Sequence, residues 1–154
     1  MMKTGCEMIT SGLEDVMNIT ETRKPRISPE NPIEILLIEH DPQLRKVMKI
    51  SLEQNGLRVV AVERFSKALQ VLEQGDPDLF LVDFDLADGD PGKLIEVFRR
   101  NKRDKGAVLL TTTIRPDDHW RRTYRPDAVV YKPFDVRHLY RRIQSLESEF
   151  KKNR

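Results

Sequence analysis

Cysteine, glycine-rich motifs and long apolar runs are scarce in this chain, and each absence excludes a class of protein. Cys6 is the only cysteine, so an internal disulfide is excluded and a reducing compartment, the cytoplasm, is expected. No window approaches the roughly 18 apolar residues that a membrane-spanning helix needs, so a membrane is not expected as a partner. No glycine-rich phosphate loop follows the first apolar run, which argues against an enzyme that binds FMN or a nucleotide.

The chain as a whole also has no large excess of positive or negative charge. The 27 Lys and Arg residues nearly balance the 25 Asp and Glu residues, and the net charge is +2, so the molecule has no strong overall field. Residues 99–142 are locally basic. This surface could meet an acidic protein or nucleic acid, although ordinary solvated helix surface is at least as good an explanation. A length of 154 residues with 38% hydrophobic content suits one well-packed domain.

Four short apolar runs each end in a chemically reactive residue. Runs of this length with helical patterns between them are typical of buried parallel strands, whose carboxyl ends meet along one edge of a sheet. Open α/β folds keep their chemistry at that edge. Acidic groups, a hydroxyl and a lysine brought together there would form a site for a divalent cation and a phosphoryl group. The four runs are Leu36–Asp41, Phe80–Asp83, Val108–Thr112 and Val129–Phe134.

The alternation of strand and helix patterns predicts one domain over residues 33–150. With a further strand at 57–62, it contains five strands, which predicts an α/β fold with a doubly wound parallel sheet. Residues 1–32 contain several prolines and no sustained periodicity, which predicts a mobile N-terminal arm. A short amphipathic helix at 9–17 is the alternative for part of this arm. Residues 151–154 are predicted to form a C-terminal tail.

Local signals place the ends of the predicted helices. Asp41, followed by proline, predicts the N-cap of the first helix, and Asn55–Gly56 predicts its end. Ser66 is predicted to cap the second helix, and Asp135 is predicted to cap the last one. Two prolines and several charges within residues 114–127 predict that the helix before the last strand is short or irregular.

Three motifs in combination resemble the receiver domain of bacterial response regulators, the CheY-like phosphoacceptor proteins. They are Ile-Glu-His-Asp-Pro at 38–42, Leu-Val-Asp at 81–83 and Lys-Pro-Phe-Asp at 132–135. The resemblance covers residues 33–150. It implies a flavodoxin-like sheet with the strand order 2-1-3-4-5 and a cis peptide bond between residues 132 and 133.

The resemblance implies that Asp83 is the phosphoacceptor. A carboxylate near a hard cation and an amine can attack a phosphoryl group, because the negative charges of nucleophile and donor are neutralised together. Lys132 is implied to place its ammonium group on a phosphate oxygen. Thr112 is implied to donate its hydroxyl to the phosphoryl group. Thr111 is the alternative, since a shift of one residue in strand register would exchange the two.

The resemblance also implies a metal site made by Glu39, His40, Asp83 and the backbone carbonyl of Asp85. His40 stands where the family has a second carboxylate, and Mg²⁺ prefers hard oxygen ligands to imidazole. We therefore expect Mg²⁺ to bind weakly or Mn²⁺ to be preferred. Asp41 is interpreted as a helix cap and not as a replacement ligand. The Asp85 side chain could help to bind a cation or could repel an incoming acyl phosphate, and the sequence leaves both roles open.

Further departures from the family pattern lie on the signalling side. Val129 stands where the family has its switch aromatic residue, so the usual coupling from the phosphoryl group through Thr112 is lost in that form. Pro91 stands where the turn after the acceptor usually has glycine, and residues 114–127 form a shorter segment than the family implies.

The implied function is that of a stand-alone response regulator receiver in a two-component phosphorelay. Asp83 would accept a phosphoryl group from a histidine kinase or a phosphotransfer protein, and binding to an unidentified downstream protein would change. Nucleic acid is not expected as a partner. The receiver would not be an enzyme with a diffusible product, since it would catalyse only its own phosphorylation and dephosphorylation. The alternative is a degenerate receiver, a phosphorylation-independent interaction module disabled by His40 and Val129.

Overall fold

Strands and helices alternate along the part of the chain that the computed structural model describes, residues 32–102 and 105–152. This alternation confirms the α/β class. The elements are β1 (Glu34–Ile38), α1 (Pro42–Gln54), β2 (Arg58–Val62), α2 (Phe65–Gln74), β3 (Leu79–Asp83), α3 (Pro91–Lys102), β4 (Ala107–Thr112), α4 (Asp118–Tyr124), β5 (Ala128–Tyr131) and α5 (Val136–Lys152).

The strands form one parallel sheet in the order β2-β1-β3-β4-β5. This order confirms the doubly wound, flavodoxin-like sheet that the sequence implied. In the register of the sheet, Asp83 is the partner of Thr111, and Thr112 is the partner of Tyr131. The carboxyl ends of the strands therefore lie side by side at one edge, where such sheets place their chemistry.

Two apolar layers cover the sheet, one on each face. Leu37 and Leu81 belong to the layer under α1 and α5, whereas Leu36 and Phe80 belong to the layer under α2 and α3. Side chains alternate between faces along a strand, so adjacent residues enter opposite layers. Strand β3 lies in the middle of the sheet, and every residue of it is buried. Its last residue, Asp83, therefore lies in the protein interior.

The signals for the first helix are confirmed. The Asp41 side chain accepts hydrogen bonds from the backbone N–H groups of Gln43 and Leu44, at 2.9 and 3.3 Å. The chain leaves the helix at Asn55, and Gly56 has a φ of +87°. Glycine adopts this left-handed conformation without steric cost, which is why the helix ends there.

The prediction that Ser66 caps the second helix is wrong. Helix α2 begins at Phe65 and its N-cap is Arg64. The Arg64 side chain makes no cap hydrogen bond. The Phe65 N–H donates instead to Asp88 Oδ2 at 3.0 Å. A carboxylate from the loop after β3 thus supplies the acceptor that a local serine was expected to supply, and no local pattern reveals this contact.

The last two helices agree with their predictions. Helix α4 has 7 residues, and its C-cap is Arg125, whose φ is +45°, so the helix before β5 is short. The Asp135 side chain accepts from the Arg137 N–H at 2.8 Å at the start of α5. The peptide bond between Lys132 and Pro133 is cis, as implied. Helix α5 continues to Lys152, beyond the predicted end of the domain at residue 150.

Some expectations lie outside the described residues. The predicted N-terminal arm and its alternative helix at 9–17 fall in residues 1–31, and the end of the predicted C-terminal tail falls at 153–154. Among the residues that are described, no helix has both the length and the apolar character needed to cross a membrane.

Replacement of Gly56 by alanine tests the end of α1. A β-carbon at this position would meet no atom within 4 Å, so the penalty comes from backbone conformation alone. We expect Gly56→Ala to lower the free energy of unfolding by about 1 kcal/mol in urea denaturation. Gly56→Asn is the matched control and should lose clearly less, because asparagine tolerates left-handed backbone. Equal losses for both variants would contradict this account.

Candidate active site

The reactive side chains come from loops and strand ends at the carboxyl edge of the sheet. Glu39 and His40 follow β1, Asp83 ends β3, Thr112 ends β4, and Lys132 follows β5. The parallel arrangement brings four of them into direct contact, and Thr112 joins them through the loop after Asp83. Each predicted site residue therefore lies at this edge, which makes the edge the candidate active site.

The Asp83 carboxylate is at the centre of the site. Its Oδ1 accepts hydrogen bonds from Lys132 Nζ at 3.1 Å and from the Asp85 N–H at 2.9 Å. Its Oδ2 is hydrogen-bonded to His40 Nδ1. The Asp83 side chain is 0% exposed and that of His40 is 52% exposed. His40 thus separates the buried carboxylate from solvent.

Glu39 is a second fully buried carboxylate in the site. Its Oε1 accepts from the Asp41 N–H at 3.1 Å, and its Oε2 lies 3.0 Å from Lys132 Nζ. Oε2 accepts no hydrogen bond of good geometry within the described residues. The Arg45 guanidinium donates to the Glu39 carbonyl at 2.8 Å and so fixes the backbone between β1 and α1. No sequence motif indicated this role of Arg45.

Burial and charged contacts together set the protonation of these groups. Burial raises the pKa of Asp83, but hydrogen bonds with His40 and Lys132 outweigh it and hold the pKa below its ordinary value. Burial raises the pKa of Glu39 above its ordinary value, although Asp41 and Lys132 stabilise its charged form. Burial lowers the pKa of Lys132, but the two carboxylates outweigh it and raise the pKa. Asp83 is therefore the better ionised of the two acids.

Glu39, His40 and Asp83 can hold a divalent cation. One ligand atom from each lies within 4.8 Å of the others. Glu39 Oε2 accepts no hydrogen bond within the described residues and so keeps acceptor capacity for a cation. Two carboxylates with one imidazole suit Mn²⁺ better than Mg²⁺, because Mn²⁺ accepts an imidazole ligand more readily. The residues thus fit a divalent cation, and the expected weak binding of Mg²⁺ stays a prediction.

The Asp85 side chain contacts the end of β4, and its effect on an incoming acyl phosphate stays a prediction. It does not join the cation cluster, which among the described residues contains only the three ligands named above. Its Oδ1 accepts from the Thr112 hydroxyl at 3.0 Å, and its Oδ2 accepts from the Thr113 N–H at 2.9 Å. The carboxylate therefore connects the loop after β3 to the loop after β4.

The two candidate threonines have different surroundings. Thr111 is buried and its hydroxyl donates to the Val82 carbonyl of β3, at 3.4 Å, so it is a residue of the sheet interior. Thr112 is equally buried, but its hydroxyl donates to Asp85, two residues after Asp83. The contacts favour Thr112 as the hydroxyl donor, and its role stays a prediction.

An aromatic cluster lies beside Asp83, and the sequence motifs did not indicate it. Phe84, Trp120 and Tyr124 pack edge to face, with centroids 4.6 to 5.4 Å apart. Tyr124 also lies where a side chain at Gly92 would be, 2.6 Å from the position of a β-carbon. The family position of the switch aromatic is the half-buried Val129. The three clustered aromatic residues thus come from the position after Asp83 and from α4, and Phe84 next to Asp83 was the available signal.

A parallel sheet in this order, with an aspartate and a lysine at its carboxyl edge, defines the class of CheY-like phosphoacceptor folds. Residues 35–144 match the family model of the response regulator receiver domain. The chain therefore belongs to the response regulator receiver domain family.

Curated relatives share the matched region but are longer. The chain is 31% identical over 115 residues to the phosphate regulon transcriptional regulatory protein PhoB of Escherichia coli (strain K12), covering 73% of this chain and 50% of PhoB. It is 26% identical over 110 residues to the KDP operon transcriptional regulatory protein KdpE of the same strain, covering 71% of this chain and 49% of KdpE. The chain thus spans about half the length of the curated relatives that it matches.

Solved structures share the fold. A CheY-like response regulator receiver domain protein from Methanospirillum hungatei JF-1 aligns with a TM-score of 0.73 and 22% identity, covering 80% of this chain and all 100% of that one. The response regulator TrrA from Thermotoga maritima, solved in complex with Mg²⁺ and BeF, aligns with a TM-score of 0.62 and 22% identity, covering 74% and 98% of the two chains. The non-phosphorylated HemR receiver domain from Leptospira biflexa aligns with a TM-score of 0.67 and 26% identity, covering 74% and 93%.

The two buried carboxylates are expected to affect stability in opposite directions. The folded-state pKa of Glu39 is raised, so its ionisation opposes folding, and this loss is complete once the pH exceeds that pKa. The folded-state pKa of Asp83 is lowered, so its charge stabilises the fold above the unfolded pKa. At pH 7 with chelator, Glu39→Gln should raise the melting temperature and Asp83→Asn should lower it, each by roughly 2–5 °C in thermal denaturation. Shifts of the same sign would contradict the assigned directions.

Proposed function

We propose that this protein is a phosphoacceptor in two-component signal transduction, in which a histidine kinase or phosphotransfer protein transfers a phosphoryl group to Asp83. The observation that carries the proposal is the contact of an ionised, buried Asp83 with the Lys132 ammonium at 3.1 Å, inside a cluster of cation ligands. A lone loop aspartate would have neither the charge partner nor the burial. Within the family shown above, this arrangement supports phosphoryl transfer better than a purely structural role.

The transfer uses Asp83 as nucleophile. One of its oxygens forms a bond to phosphorus while the bond from phosphorus to the donor's leaving atom breaks, and the electron pair stays with the leaving group. Lys132 neutralises charge on the phosphoryl oxygens, because its ammonium group already lies between Glu39 and Asp83. Thr112 would donate its hydroxyl to one phosphoryl oxygen. A divalent cation held by Glu39, His40 and Asp83, together with the Asp85 carbonyl, would supply further electrostatic neutralisation.

Labelling by a small acyl phosphate tests the acceptor. The chain is incubated with acetyl phosphate and Mn²⁺ or Mg²⁺, and intact mass is measured. We expect a gain of one phosphoryl group in the wild type and none in Asp83→Asn, since the amide keeps the volume but is not a nucleophile.

Asp88→Asn is the control for labelling, because Asp88 lies in the same loop and contacts the start of α2 and not the acceptor. This variant should be labelled like the wild type. Labelling that persists in Asp83→Asn would place the acceptor elsewhere.

Replacement of His40 by aspartate tests the metal site. The change replaces a neutral imidazole by a hard anionic ligand, so Mg²⁺ should bind about tenfold more tightly in a calorimetric titration. In the wild type, Mn²⁺ should bind more tightly than Mg²⁺. The exposed His119 on α4 provides a matched control, and His119→Asp should leave Mg²⁺ affinity unchanged. Unchanged Mg²⁺ affinity in His40→Asp would exclude His40 from the metal site.

A second candidate function is a degenerate receiver that binds partners without phosphorylation. It is favoured by the contact of His40 with Asp83, by the engagement of the Thr112 hydroxyl with Asp85, and by Val129. The two functions differ in one outcome. A degenerate receiver would show no labelling with either metal ion, and His40→Asp would not restore it.

The chain spans about half of its curated relatives, so the partners of the whole protein are part of the proposal. They are a histidine kinase or phosphotransfer protein and an unidentified downstream protein, with a cytoplasmic location. The curated relatives are named as transcriptional regulatory proteins, and the expectation that nucleic acid is not a partner stays a prediction. On this proposal, catalysis is confined to the phosphorylation and dephosphorylation of Asp83 itself.

A further inference from the structure

Each oxygen of the Asp85 carboxylate accepts a hydrogen bond from a residue at the end of β4 or directly after it. Oδ1 accepts from the Thr112 hydroxyl and Oδ2 accepts from the Thr113 N–H. The Thr112 hydroxyl oxygen in turn accepts from the Ile114 N–H at 3.1 Å. The hydroxyl proton is therefore directed at Asp85, while its oxygen is held by the loop.

A hydroxyl and an adjacent backbone N–H that point at two oxygens of one anion form the arrangement by which proteins bind phosphate. The N–H of Asp85 donates to the acceptor itself, Asp83 Oδ1, at 2.9 Å. Asp85 thus stands directly beside the acceptor, and its carboxylate fills donors that a phosphoryl group on Asp83 would need. A carboxylate, like a phosphoryl group, presents two negatively charged oxygens, so the Asp85 carboxylate can take the place of a phosphoryl group at these two donors.

We propose that Asp85 is a positioning residue that acts as an internal anion, occupying the donors of Thr112 and Thr113 until a phosphoryl group on Asp83 displaces it. The consequence for phosphorylation rests on the proposed function, whereas the anion site made by the two donors does not. When acetyl phosphate is the donor, an Asp83 oxygen bonds to phosphorus, the bond from phosphorus to the acetyl oxygen breaks, and acetate leaves with the electron pair. The Asp85 carboxylate must then turn away from Thr112.

The Asp85 carboxylate is expected to slow the labelling of Asp83 in two separable ways. Its hydrogen bonds to Thr112 and Thr113 must be broken, and its charge repels the incoming donor. Asp85→Ala removes both effects, whereas Asp85→Asn removes the charge and keeps one acceptor for the Thr112 hydroxyl. The two substitutions therefore distinguish the internal anion from simple repulsion.

The rate of labelling by acetyl phosphate, followed by intact mass on the full chain, is the first test. We expect Asp85→Ala to increase the rate about tenfold and Asp85→Asn to increase it less. In a Thr112→Val background, the effect of Asp85→Ala should shrink by at least roughly threefold, because one of the released donors is missing. Asp88→Asn carries the same charge change in the same loop and should leave the rate unchanged.

An undiminished effect of Asp85→Ala in the Thr112→Val background would show that charge alone acts and would overturn the proposal. Equal rates in the wild type and in Asp85→Ala would also overturn it. Labelling in none of the variants would instead contradict the proposed function, and the second test then decides the matter for the anion site.

Inorganic phosphate is the probe in the second test, and the backbone amide signal of Thr113 in ¹⁵N-labelled protein is the readout. We expect this signal to shift with phosphate in Asp85→Ala at concentrations that leave the wild type unchanged, because only the variant has free donors. The same response in both proteins, or a response in neither, would show that Asp85 does not occupy an anion site.

Discussion

The interaction on which the site depends is that of one lysine with two buried carboxylates. Glu39 and Asp83 are both inaccessible, and Lys132 lies within 3.1 Å of an oxygen of each. The removal of the lysine would leave two buried carboxylates without a cationic partner, and an uncompensated buried charge is strongly destabilising. The ammonium group holds together the ends of β1, β3 and β5. The sheet positions these residues, and the shared cation makes their burial tolerable.

Most of the fold could be predicted from the sequence because its signals are local. Continuous apolar runs identify buried parallel strands, and Asp41 and Gly56 mark the ends of a helix through their own backbone and side-chain chemistry. The start of α2 could not be predicted in the same way. Its first N–H is satisfied by Asp88, more than twenty residues later in the chain, and Ser66 was the only acceptor that local reasoning could find.

The candidate site likewise has a part that the sequence predicts and a part that depends on the folded chain. Asp83, Lys132 and the Glu39–His40 pair are found by their places at strand ends, since the topology of a parallel sheet brings all such ends together. The direction of the Asp85 side chain depends on the conformations of two loops from different strands, which a single motif does not encode. The contact of Thr112 with Asp85 is therefore a property of the folded chain, and the three sequence motifs could not predict it.

The aromatic cluster has a practical consequence for spectroscopy. Trp120 is the only tryptophan of the chain, and its ring packs 4.6 Å from that of Phe84, the residue directly after the acceptor. The indole fluorescence of the unmodified protein thus arises at one position that borders the candidate active site. Because indole emission depends on the packing around the ring, we expect a rearrangement of the loop after β3 to change the intrinsic emission, with no attached dye needed.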